Sequence, residues 1–204
     1  MLQTVNDNQL WEDFKKGKQS ALSQIYHLHV ESLYRYGKKF SSDSDLVKDT
    51  IQDLFFDLIR SRKNLGKTDQ IYFYLLSAFR RKLFRSMSDK KIGAKTGKEE
   101  ELFSAQIIYS AEEEFIEKEH LSQKEELIRK GLAELSPKQR EILYYRFTCD
   151  FEYEQICEIM SMKYDSARKM VFRALKSLRE HLSESNIILL SIHFQNLTTF
   201  LKNN

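Results

Sequence analysis

The sequence predicts an all-α protein of two small helical domains joined by a linker. Three observations carry that expectation. The 204 residues include only six glycines and one proline, so few positions break a helix. Apolar residues recur at helical spacing from about Leu10 to Arg85 and again from about Ala111 to Leu182. Between these zones "SMSDKKIGAKTGKEE", 86–100, loses the periodicity and holds two glycines. The expected boundaries are therefore 1–86, a linker over 87–110, a second domain over 111–183 and an apolar extension over 184–204.

In the first zone "DLVKDTIQDLFFDLIRSR" places Val47, Ile51, Leu54, Phe55 and Leu58 on one helical face. Asp49, Asp53, Phe56 and Arg60 fall opposite, with Gln52 and Asp57 at the sides. Carboxylates at 49, 53 and 57 repeat every fourth residue with no cation between them, which costs a few tenths of a kcal/mol per pair. A Phe among them, turned from the core, marks a docking surface for another protein; a scattered exposed aromatic is the competing reading.

The next helix, "DQIYFYLLSAFRRKLFR", opens on Tyr72, Phe73 and Tyr74 and ends in Arg80, Arg81, Lys82 and Arg85. Leu75, Leu76, Phe79 and Leu83 supply its core contacts. Rings beside cations suit unpaired nucleic acid, because rings stack on bases while Arg and Lys follow phosphates. Helical Tyr and Phe more commonly fill cores, and at least one of these three is expected to do only that.

The second zone contains a helix start written in full. In "ELSPKQREIL" Ser136 is the N-cap, Pro137 stands at N1, and Gln139 at N3 closes a capping box. "DFEYEQICEIM" then reads as a short amphipathic helix with Phe151 or Tyr153, Ile156 and Ile159 inward. A turn of about three residues leads into "KYDSARKMVFRALKSLRE". There Ala167, Val171, Ala174, Leu175 and Leu178 share one face, with Met170 at its margin. Opposite lie Asp165, Lys169, Arg173 and Lys176, flanked by Ser166, Arg168 and Phe172. Short helix, tight turn and longer cationic helix is the helix-turn-helix order, whose second helix enters the major groove. Tyr164, Asp165, Ser166, Arg168 and Lys169 would approach base edges or nearby phosphates, and Arg173 and Lys176 would hold the backbone. A solvated bundle face is the plainer alternative for the helix taken alone.

Charge supports the nucleic-acid reading. The net charge is only +3, yet between Arg80 and Lys98 eight cations face Asp89 alone, and from Glu99 to Glu126 the sign reverses. A polyanion responds to such local fields rather than to the total. Other classes fare poorly. The N-terminus lacks the basic start and apolar core of a secretion signal. Cys149 and Cys157 read as reduced, buried or partly buried residues of a cytoplasmic protein. His27 and His29 would diverge by about 160° on a helix, against a shared metal. "GAKTGKE" at 93–99 mimics a P-loop, but its glycines are too close and Glu99 replaces the Ser or Thr that holds magnesium. No cofactor and no enzymatic activity are expected.

Taken together these segments resemble the bacterial sigma-70 family of RNA polymerase initiation factors, in its small extracytoplasmic-function group. The resemblance covers about Leu10 to His181. "GKQSALSQIYHLHVESLYRYGKKF" looks like the opening helices of the sigma-2 domain. "DLVKDTIQDLFFDLI" resembles the helix that grips the β′ clamp of polymerase, which implies that Asp49, Gln52, Asp53 and Phe56 carry that contact. "YFYLLSAFRRKLF" resembles the segment that captures the promoter −10 element, implicating Tyr72, Phe73, Tyr74, Arg80, Arg81, Lys82 and Arg85. "LSPKQREILYYRF", "YEQICEIM" and "DSARKMVFRALKSLRE" resemble the sigma-4 domain, which reads the −35 element and touches the β flap. That implicates Tyr164, Asp165, Ser166, Arg168, Lys169, Phe172, Arg173 and Lys176.

Four residues depart from the family pattern. Ile59 stands where Trp is usual, and Arg81 where Asn is common. Ser161 replaces the usual turn Gly, and Lys163 the usual Ser or Thr cap of the recognition helix. The partners implied are core RNA polymerase, promoter DNA and, where the system has one, an anti-sigma factor. The extension "NIILLSIHFQNLTTFL", 186–201, is too short to span a bilayer easily and is expected to pack on the second domain or meet such a partner. The competing function is a polymerase-independent helix-turn-helix regulator, which would dimerise on paired half-sites; no heptad seam is evident for that.

Overall fold

The computed structural model describes residues 6–92 and 130–181, and among these there is no β-strand. The chain divides into two compact units, Met1–Ala111 and Glu112–Asn204.

The first unit contains α1 (Asp7–Lys15), α2 (Gln19–Lys38), α3 (Ser44–Ser61) and α4 (Ile71–Ile92), with one 3₁₀ turn, Arg62–Asn64, after α3. Asn6 caps α1 by accepting from the Gln9 N–H, and Asp43 caps α3 by accepting from the Leu46 N–H at 3.0 Å. The start of α4 is capped from a distance: the Ile71 N–H donates to the Asp7 carboxylate at 2.9 Å. Helix α3 packs on both α2 and α4, and α1 lies against α2 and α4. The anticipated α3 stripe of Val47, Ile51, Leu54, Phe55 and Leu58 is buried, as are Leu75, Leu76, Phe79 and Leu83 of α4. Trp11 closes one end of this core. It is 1% exposed, donates its indole N–H to the Gly66 carbonyl at 2.8 Å, and leans on Tyr74 with ring centres 5.0 Å apart.

Helix α4 continues past residue 86 to Ile92, into the stretch read from sequence as linker. Loss of apolar periodicity removes the packing face without removing helix propensity, and no breaker stands before Gly93.

The second unit contains α5 (Pro137–Leu143), a π-helical turn at Tyr144–Thr148, α6 (Tyr153–Met160) and α7 (Tyr164–His181). The capping box at Ser136 forms as read: the Gln139 N–H donates to Ser136 Oγ at 3.3 Å, and the Ser136 N–H to Gln139 Oε1 at 2.9 Å. A second box joins Glu152 and Gln155 at the start of α6. Phe151, Ile156 and Ile159 turn inward and Tyr153 is half-buried, while Ala167, Val171, Ala174, Leu175 and Leu178 bury the inner stripe of α7. Beneath them the Tyr145 hydroxyl donates to the buried Glu141 carboxylate at 2.6 Å. The P-loop-like segment at 93–99, the acidic run to Glu126 and the extension at 184–204 lie outside the described residues.

Candidate nucleic-acid interface

The joint between α6 and α7 fixes how the cationic helix is presented. Helix α6 ends at Ser161, whose backbone is left-handed at φ 51° and ψ 51°. The Ser161 N–H bonds the Glu158 carbonyl at 3.3 Å and the Met162 N–H the Cys157 carbonyl at 3.0 Å. This pair of bonds is a Schellman ending, which satisfies the last carbonyls and turns the chain sharply. Two residues later α7 begins, and its 167 N–H already bonds the Lys163 carbonyl at 3.0 Å. The tight turn that a helix-turn-helix requires is therefore made, with a serine in the conformation glycine takes most easily.

On α7 the residues read from sequence as DNA-facing all lie outward. Tyr164, Asp165, Ser166, Arg168, Lys169, Phe172, Arg173 and Lys176 are exposed, Tyr164 at 44% and Phe172 at 58%. The Tyr164 ring sets its edge on Tyr153, centres 5.5 Å apart, which steadies the first turn of α7 against α6. Burial, opposed by the Arg146 and Arg168 charges, pushes the Tyr153 hydroxyl above its ordinary range, and that hydroxyl has no hydrogen-bond partner. Lys176 has Glu180 at 4.0 Å, one turn on. Chemically the face offers cations for phosphates, short polar groups for base edges, and one bare ring.

In the first unit the residues read from sequence as facing unpaired DNA divide. Arg81 and Arg85 are exposed, and Lys82 reaches α3, with Nζ 2.5 Å from the Asp57 carboxylate. The Lys82 hydrogen bond holds the Asp57 carboxyl below its usual range. Arg80 is not a surface residue: it is 5% exposed, with its guanidinium 4.9 Å from the centre of the Phe84 ring. Leu76, Arg80 and Leu83 follow one helical stripe, so a basic run read linearly assigned Arg80 to the wrong side. Tyr72, Phe73 and Tyr74 are half-buried. Tyr74 fills the core beside Trp11, whereas Tyr72 stacks on His29 with centres 5.6 Å apart. Burial, chiefly, lowers the His29 pKa, partly opposed by the Asp7 charge, and its Nε2 has no partner.

Asp49, Gln52, Asp53 and Phe56, read from sequence as a polymerase contact, are exposed along α3, Phe56 at 59%. Beside it runs an open groove of about 660 Å³ between α2 and α3. Tyr26, Val30 and Tyr34 line one wall; Ile51, Phe55, Phe56 and Ile59 line the other. Reading one helix at a time found Phe56 but missed the wall from α2, because groove formation depends on the pairing of two helices. No cluster of His, Cys, Asp and Glu able to hold a metal occurs among the described residues, and no described helix is long and apolar enough to cross a membrane.

Residues 125–178 match a family model described as "Sigma-70, region 4". Two solved structures share the fold. One is CnrH in complex with the cytosolic domain of CnrY, with 14% identity, a TM-score of 0.57, and coverage of 85% of this chain and 94% of that one. The other is the sigma factor RpoE in complex with the anti-sigma factor NepR from Bartonella quintana, with 19% identity, a TM-score of 0.52, and coverage of 78% and 94%. No curated protein matches the chain.

Proposed function

We propose that this chain, which carries a sigma-70 region 4 domain on an all-helical sigma-factor fold, is a promoter-specificity factor for RNA polymerase in the extracytoplasmic-function group. One observation supports this above the rest: within the matched residues, α7 turns its apolar stripe wholly inward and its cationic face wholly outward. In this reading residues 1–86 serve as the sigma-2-like domain, 111–183 as the sigma-4-like domain, 87–110 as the tether and 184–204 as an extension. The protein works in the cytoplasm without catalysing a reaction; polymerase makes the RNA.

The α3 face offers Asp49, Gln52, Asp53 and Phe56 to the polymerase clamp. Exposed carboxylates steer a basic partner, and the adjoining apolar groove supplies area that desolvates on contact. Tyr72, Phe73, Arg81, Lys82 and Arg85 receive the unpaired −10 strand; buried Arg80 is excluded and Tyr74 remains structural. Helix α7 reads the −35 duplex. An anti-sigma factor, such as the NepR bound to one neighbouring fold, would compete for these surfaces.

Run-off transcription by core polymerase on a promoter library tests the proposal. Accurate, chain-dependent initiation on a subset of templates is expected, and initiation on none overturns it. Reversing Asp49 and Asp53 to Lys should abolish binding to core polymerase while leaving the helical melt unchanged; retained binding removes the clamp assignment.

A further inference from the structure

The outermost line of α7 is Asp165, Lys169, Phe172 and Lys176, spaced as successive turns and opposite the buried Ala167, Val171, Ala174 and Leu178. Three of these side chains are charged. The fourth is a phenyl ring that is 58% exposed, between a lysine three residues before it and another four after. A ring gives nothing to a phosphate, and in water it leaves apolar surface hydrated. Among the described residues of the second unit the large exposed apolar side chains are Tyr164 and Phe172, and the Tyr164 ring is engaged with Tyr153.

The major groove presents one strongly apolar feature, the C5-methyl group of thymine. Asp165 and Phe172 are about 10 Å apart along the helix axis, at 1.5 Å per residue. A recognition helix lies in the major groove, and Phe172 shares the face of Asp165 and Lys169, so the helix turns it toward the same base pairs. Lys169 and Phe172 differ by about 4.5 Å in rise, near one base-pair step. Lys169 can donate to the acceptors of a guanine while Phe172 covers a methyl group close by.

We propose that Phe172 is a specificity-determining residue that selects thymine in the duplex bound by α7, by packing its ring on the C5-methyl group. This rests on the reading of α7 as a duplex-reading helix and adds the base that it prefers. The methyl group is the whole of the discrimination, so uracil, which pairs identically and lacks it, is the diagnostic base.

The experiment starts from a pool of random 30-base-pair duplexes selected with the full chain bound to core polymerase. The enriched duplex is resynthesised with deoxyuridine replacing each thymidine singly, and affinities are measured for the unaltered chain, Phe172→Ala and Phe172→Leu. At one thymine, or two adjacent ones, loss of the methyl should weaken the unaltered chain about fourfold, the worth of burying one methyl-sized group. The same change should leave Phe172→Ala unaffected, and Phe172→Leu should keep part of the sensitivity. The assignment is overturned if uracil is harmless at every position, or if it weakens all three proteins equally. Failure of any duplex to enrich would instead remove the duplex reading itself, and the assignment with it.

Discussion

Gly37 and Val47 leave no room between α2 and α3 for another side chain: a Cβ added at Gly37 would stand 2.6 Å from Val47 Cγ1 and 3.0 Å from the Phe79 ring. Both neighbours are buried. Gly37→Ala should therefore destabilise the first unit by about 1–3 kcal/mol, the cost of overpacking, less about 1 kcal/mol regained in helix propensity. Urea melts of the single variant and of Gly37→Ala with Val47→Ala measure this. The second change clears the clash, so the pair should cost less than the two single effects added together.

Ser161 holds the left-handed position that ends α6. An L-residue pays roughly 1–2 kcal/mol to sit there, whereas glycine pays almost none. The backbone is already committed by the Glu158 and Cys157 carbonyl bonds, so Ser161→Gly should raise stability by about 1 kcal/mol without moving α7. Thermal melts read the gain. A loss would mean that the serine hydroxyl contributes something the backbone bonds do not.

These two sites show where legibility stopped. Most helix positions, both inner stripes and the Ser136 capping box could be read from the sequence, because each depends on residues within a turn or two; the end of α4, which has no packing face, could not. The turn at Ser161 was legible as a departure from glycine, though its conformation was not. Gly37 gave no signal: its reason is Val47 on another helix. The cap that Asp7 provides for Ile71 spans the unit and has no local signature. The burial of Arg80 was readable from its place in the Leu76–Leu83 stripe, but the surrounding run of cations obscured it. The paired walls of the α2–α3 groove needed the tertiary structure.

His29 makes the first unit sensitive to mild acid. Its pKa is lowered mainly by burial, and its Nε2 has no partner to share a proton with. The unfolded chain therefore binds a proton first, near the ordinary histidine value of about 6.5. The penalty is absent above that value, grows as pH falls below it, and levels off beneath the folded pKa. Asp7 opposes the shift without cancelling it. Urea melts at pH 7.5 and 5.5 should show stability falling on acidification, and the fall should shrink in His29→Phe. An identical fall in that variant would assign the pH dependence to other groups.

Salt dependence can distinguish the cations of α7 from one another. Each phosphate neutralised on a duplex contributes about 0.9 to the slope of log affinity against log salt. Arg168 and Lys169 are exposed on the leading half of α7, with Asp165 one turn before Lys169, while Lys176 has Glu180 within 4.0 Å. If both meet phosphates, Arg168→Ala with Lys169→Ala should flatten the slope by nearly two and weaken all duplexes alike. If Lys169 instead donates to a base, the slope should fall by about one and the preference at one base pair should relax. Lys176→Ala should flatten it by less than one, because Glu180 at 4.0 Å already offsets part of that charge. Titration of duplex binding from about 50 to 200 mM salt separates these outcomes. An unchanged slope in both variants would mean that this face does not meet DNA.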